Sequence, residues 1–158
     1  MEQPVTRKDK EITGHGWLDY WIMYGTSVFL IELKHAWNAI KTDTVKNSAL
    51  QSWVEAQSQL KKIGRDDVKS LSINAQSVVK IALMVVPFYQ SSTREEKLQS
   101  IAKEDMKEIF LEMFHGLKPR PDWACCWLIH EELQEPQPYA NRFEIYPGVG
   151  IYATVKSV

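Results

Sequence analysis

The stretch Gly16 to Trp37, GWLDYWIMYGTSVFLIELKHAW, constrains this chain more than any other. Two apolar runs flank the turn-forming triplet Gly25-Thr26-Ser27. The second run, Val28 to Lys34, is too apolar and β-branched for a surface helix and too short for a membrane span. The pattern predicts two β-strands joined by a short turn. Side chains alternate along a strand, so Glu32 and Lys34 share one face while Phe29, Ile31 and Leu33 share the other. An acid and a base on one face of an apolar strand form a local conflict, and such conflicts tend to fall at functional sites. Asp19 is a second conflict. It sits in WLDYWIM with Trp17 and Trp21 on its own face and Leu18 and Tyr20 on the other. Aspartate is disfavoured in strands and rarely buried without a partner. Pairing of the two runs brings Asp19 toward Glu32. Two carboxylates beside a lysine suit Mg²⁺, which takes oxygen ligands, commonly one or two carboxylates, and keeps positions for water and a phosphate.

The segment Ser48 to Ile63 has helical spacing, with Ser48 as N-cap and Gly64 as terminator. Ala49, Leu50, Trp53, Ala56 and Leu60 line one face; Gln57 lies at its edge and Gln59 points away. Asp19, an apolar strand ending in Glu32-Leu33-Lys34, and then a helix bearing a glutamine resemble the signature of the PD-(D/E)xK nuclease superfamily. The motif covers roughly Gly14 to Ile63, and the order of elements matches over about the first 130 residues. The resemblance implies a restriction-endonuclease-like fold and a metal-dependent nuclease that hydrolyses phosphodiester bonds of DNA. It implies Mg²⁺ or Mn²⁺ held by Asp19, Glu32 and the Leu33 carbonyl, with Asp19, Glu32, Lys34 and Gln57 as the catalytic set. Lys34 then orients water or stabilises charge on the phosphorane, and Gln57 positions a ligand or the lysine. The superfamily usually places a helix, often with another acid, before the first strand. Here Glu2 and Glu11 are the only candidates for that acid. The alternative is a catalytically inactive nuclease-fold domain that serves as a binding or protein-interaction module. The six Trp, the six Tyr and the net charge of -1 favour it. A third reading makes Glu32-Leu33-Lys34 accidental in an unrelated α+β domain.

The 158 residues predict a single domain, with 1–13 as a flexible arm or short helix. A hydrophobic share of 44% and a charged share of 25% are enough for a real core. No global basic field draws nucleic acid, although Lys34, Lys41, Lys46, Lys61, Lys62 and Arg65 cluster near the motif. The two cysteines, Cys125 and Cys126, are adjacent in an apolar run and read as free, buried thiols of a reducing compartment. No signal-type or membrane-spanning run is present, which predicts a cytoplasmic protein with no membrane partner. DNA is the expected partner, and a homodimer or protein partner stays open.

Further along, Ser77 to Phe88 predicts a central strand covered on both faces and ended by Pro87. Ser91 to Leu117 predicts one helix, with Thr93 and Glu96 as a capping box. Trp123 to His130 predicts a strand. A last hairpin is expected about Pro147-Gly148, joining 143–146 to 149–155. Helices between strands imply parallel neighbours, and hairpins add antiparallel ones. The expected class is α/β (α+β): a mixed central sheet flanked by helices on its faces.

Overall fold

A computed structural model describes residues 3–6, 15–40, 47–63 and 75–157. Its strands are β1 (Gln3–Thr6), β2 (His15–Leu18), β3 (Tyr20–Tyr24), β4 (Ser27–His35), β5 (Asn38–Ala39), β6 (Ser77–Ser92), β7 (Trp123–Leu128), β8 (Gln137–Tyr139) and β9 (Arg142–Ser157). Its helices are α1 (Asn47–Lys62) and α2 (Lys103–Gly116), with single 3₁₀ turns at Glu95–Lys97 and Glu131–Leu133. The order β3-β4-β6-β9-β7 makes a mixed sheet, with β5 alongside β6 and β8 alongside β9. Gln3–Thr6 is a strand paired with β2, where the sequence predicts an arm or a short helix. Glu2, Glu11 and Gly64 lie outside the described residues.

The expected first hairpin is present. Tyr20 pairs with Ile31 and Tyr24 with Ser27, so the loop is Gly25-Thr26. Gly25 has φ +59°, which fits a two-residue hairpin loop whose first residue is glycine. The chain then crosses through α1 and returns as β6, parallel to β4. Ala49, Trp53, Ala56 and Leu60 are buried under this crossover. Trp53 has no exposed surface, and its indole N–H donates to the Pro119 carbonyl at 2.6 Å. Burying a side chain of this size contributes roughly 3 kcal/mol.

Both helices pack on one face of the sheet. One core cluster joins Trp53 of α1, Met106 and Met113 of α2, Met84, Val86 and Phe88 of β6, and Tyr152 of β9. Phe110 of α2 stacks on Tyr152 at 5.2 Å between ring centroids. Burial alternates along β6 from Ser77 to Phe88, with one face fully buried and the other half-buried, where the sequence predicts cover on both. Among the described residues no helix covers the opposite face. Its margin strands expose Tyr20, Ile22 and Tyr24 of β3 and Trp123 and Trp127 of β7, the last with 76% of its surface accessible.

The second half departs from expectation in three further places. Pro87 does not end β6, which runs on to Ser92 and pairs with β9 through an irregularity between Phe88 and Gln90. Pro147-Gly148 is not a turn. Both residues lie inside β9, and the Pro147 carbonyl accepts a hydrogen bond from the Ile129 N–H at 2.9 Å. The reversal falls earlier, at Ala140-Asn141, between the Tyr139 and Arg142 partners. Finally, 91–117 is not one helix. Ser91 and Ser92 belong to β6, and the expected capping box is replaced by a single 3₁₀ turn with no side-chain cap. The Gln134 amide takes both the N–H and the carbonyl of Ile101, at 2.8 and 3.0 Å. With its backbone groups so engaged, Ile101 stays outside the helix, which begins at Lys103.

Candidate functional site

β4 carries Val28, Leu30 and Glu32 inward, beneath α1. Glu32 is 2% exposed, a carboxylate in a row otherwise filled by aliphatic side chains. Such burial is costly unless the charge is met by an opposite one. Lys34, two residues on and on the same face, donates from Nζ to Glu32 Oε1 at 2.9 Å. The lysine keeps some access to solvent, with 24% of its side chain exposed. The pair therefore runs from the interior to the surface at the end of β4.

Asp19 is not inside a strand. It is the single residue that separates β2 from β3. The ladder between β3 and β4 stops at Tyr20 and Ile31. Asp19 Oδ2 then accepts the Leu33 N–H at 2.7 Å, in place of the backbone carbonyl that a continued strand would supply. This explains an aspartate in an apolar run: its side chain extends the ladder by one bond. The N–H and C=O of a strand residue leave toward the same neighbour. The Leu33 carbonyl accordingly projects to the edge of β4 that Asp19 caps. Asp19, Glu32, Leu33 and Lys34 are thus brought together at one strand end, linked through the Leu33 peptide and the Lys34 ammonium.

The donors there are two carboxylates and one carbonyl. Among the described residues no three His, Cys, Asp or Glu side chains gather around one point. Carboxylates and a carbonyl are donor types that Mg²⁺ and Mn²⁺ take together with several waters; they do not make a cage built wholly of protein ligands.

Gln57 is elsewhere. It is 4% exposed and lines a cavity of about 210 Å³ with Leu60, Lys61, Lys80, Lys156 and Ser157. The helical period sets Gln59 on the opposite flank of α1, the side of Ile63, which packs with Leu18, Val28 and Leu30. Gln59 is half-buried there, although the sequence pattern points it outward. Lys80 was visible in the sequence as the one charge of an apolar strand. It donates from Nζ to the Leu60 carbonyl at 3.3 Å and to the Ile63 carbonyl, so it satisfies the C-terminal end of α1.

Other polar and aromatic side chains form separate contacts. Trp37 is 47% exposed and meets the ring edges of Tyr89 and Tyr146 at 6.2 and 5.9 Å. Glu144 is buried between Arg142, at 2.8 Å, and the Tyr146 hydroxyl. Burial and that hydrogen bond push Tyr146 up to about 12. His130 and Glu132 are both exposed and 3.9 Å apart. Cys125 and Cys126 are free and half-buried on β7. Burial, with Cys125 adding to it, pushes the Cys126 thiol up to about 11. No helix among the described residues is long and apolar enough to cross a membrane. Comparison of the chain with protein-family models, curated proteins and solved structures gave no match.

Proposed function

We propose that this protein is a metal-dependent nuclease that hydrolyses phosphodiester bonds of DNA, built on a restriction-endonuclease-like core formed by β3, β4, α1 and β6. One observation carries the reading. The Asp19 carboxylate is hooked to the Leu33 N–H at 2.7 Å, which draws both acids and the lysine of the motif to one strand end. Asp19, Glu32 and the Leu33 carbonyl would hold the cation. A divalent cation bound there supplies Lewis-acid polarisation of the scissile phosphate and lowers the pKa of its water. Lys34 sits with its ammonium on Glu32, partly open to solvent, where it orients the attacking water and offsets charge that develops on the phosphorus oxygens. Water adds to phosphorus and gives up a proton to solvent, one P–O bond to the leaving strand breaks, and the leaving oxygen takes a proton from solvent. Gln57 lines the lysine-bearing cavity under the same helix.

The test is cleavage of plasmid and oligonucleotide DNA with Mg²⁺ or Mn²⁺, by wild type and by Lys34→Gln. Metal-dependent cleavage that the variant lacks while keeping its circular-dichroism spectrum supports the assignment. Equal cleavage by the variant removes Lys34 from the chemistry.

The open sheet face supports a second reading, a nuclease-like domain that works by binding other proteins. Tyr20, Ile22 and Tyr24 at one margin of this face and Trp123 and Trp127 at the other are exposed apolar side chains, the kind of surface that other proteins cover. A folded wild type that binds no Mn²⁺ and cuts no DNA would favour this reading.

A further inference from the structure

We infer that the cavity between the end of α1 and the ends of β6 and β9 is a binding site for a phosphate group, separate from the Asp19–Glu32–Lys34 cluster. Three lysines, Lys61, Lys80 and Lys156, line it together with Gln57 and Ser157. The whole chain carries a net charge of -1, so three cations around one cavity of about 210 Å³ are a local concentration and do not reflect the composition. A water occupies ~30 Å³, so the space accommodates a phosphoryl group with some of its hydration.

The second observation concerns Gln57. Its side chain is buried, at 4% exposure, and Nε2 has no hydrogen-bond partner. An orphaned amide donor inside a protein is costly, and a ligand oxygen in this cavity would satisfy it. The Thr154 hydroxyl, two residues from Lys156 on the same face of β9, is also buried without a partner. The α1 carbonyls of Leu60 and Ile63 would repel an anion, but Lys80 already engages them. The polar groups that line the cavity beside Leu60 are thus cationic or able to donate a hydrogen bond, the pattern that recognises phosphate oxygens.

The cavity is near enough to the first site to matter for a polymer. Glu32 lies across from Ala82 and Thr154, and Lys156 is one row further along β9. Strand spacing and rise put the two Cα atoms ~12 Å apart. Either a free phosphorylated molecule or a nucleic-acid strand would present the same group. The inference does not rest on the nuclease reading, because phosphate binding here needs no metal.

The experiment is calorimetric titration in EDTA, which silences the metal site, with inorganic phosphate and separately with a thymidine oligonucleotide lacking a terminal phosphate. Wild type binds phosphate, and Lys156→Gln and Gln57→Leu each weaken it about tenfold or more, as expected for hydrogen bonds to a charged group. Both variants fold. Lys156 is exposed, and leucine replaces the orphaned amide with an apolar side chain of similar size, so Gln57→Leu melts no lower than wild type. Oligonucleotide binding that weakens with the same two substitutions identifies a nucleic-acid strand as the source. Phosphate binding without such oligonucleotide binding identifies a free phosphorylated ligand. Absence of phosphate binding by folded wild type, or equal binding by both variants, overturns the inference.

Discussion

Substituting Asp19 separates its structural work from its proposed work on a metal. The carboxylate accepts the Leu33 N–H at 2.7 Å and is half-buried. A hydrogen bond to a charged group contributes ~1.5–3 kcal/mol, and partial exposure argues for the lower end. Asp19→Ala should therefore cost about 1.5 kcal/mol. For a chain of this length that lowers Tm by roughly 3–6 °C. Asp19→Asn keeps an oxygen acceptor at the same place and loses only the charge assistance, so its cost should stay below about 1 kcal/mol. On a metal the two variants behave alike, since neither retains the carboxylate. Mn²⁺ binding by calorimetry should weaken at least about tenfold in both, because even loss of an outer-shell partner has an effect of that size. The assay is urea unfolding paired with Mn²⁺ titration on the same samples. The reasoning fails if Asn and Ala destabilise equally, or if Mn²⁺ affinity is unchanged in Asp19→Asn.

Three other outcomes follow from the geometry. Ala140 has φ 53°, a left-handed conformation that costs an L-residue ~1–2 kcal/mol, so Ala140→Gly should raise the urea midpoint; a fall would contradict strain at this turn. A Cβ on Gly148 would come within 2.8 Å of the Trp127 carbonyl oxygen, so Gly148→Ala should destabilise by about 1–3 kcal/mol in the same assay, and a neutral result would refute the close approach. Stability should also fall in alkali. The folded thiol of Cys126 is raised from about 9 to about 11, so the unfolded chain loses its proton first; the thiol's contribution is present below pH 9 and lost by about pH 11. Tyr146, raised from 10 to about 12, extends the decline. Cys126→Ala should therefore lose stability less steeply than wild type between pH 9 and 11, and identical slopes would remove the thiol from the explanation.

The parts of this fold that were legible in sequence are those set by near neighbours. Period-two alternation placed Glu32 and Lys34 on one face, and a glycine marked the turn before Ser27; both hold in the structure. Helical spacing likewise placed Trp53 and Leu60 inside. What failed depends on distant partners. The apolarity of β6 reads the same whether its second face meets a helix or stays open. Ile101 is kept out of α2 by Gln134, a residue 33 positions away. Pro147 looks like a turn until the bond from Ile129 holds it within β9. At the site, the motif drew attention to Asp19, but as a strand residue; its actual role in ending the ladder appears only once β3 and β4 are paired. Gln57 was placed by helical spacing at the edge of the apolar face, and it is buried there. Lys80 stands out as the one charge of an apolar strand, but no local pattern announces that it and Lys156, from two other strands, line one cavity with Gln57.

The most direct test of the central claim is Mn²⁺ binding by wild type and Glu32→Gln, followed by calorimetry, with DNA cleavage measured on the same samples. Glutamine keeps the size of the buried side chain and removes its charge. The account predicts that wild type binds Mn²⁺ and cleaves DNA only with metal, and that Glu32→Gln loses both while still unfolding cooperatively. A folded wild type that binds no Mn²⁺, or a Glu32→Gln variant that binds and cleaves as wild type does, would contradict it.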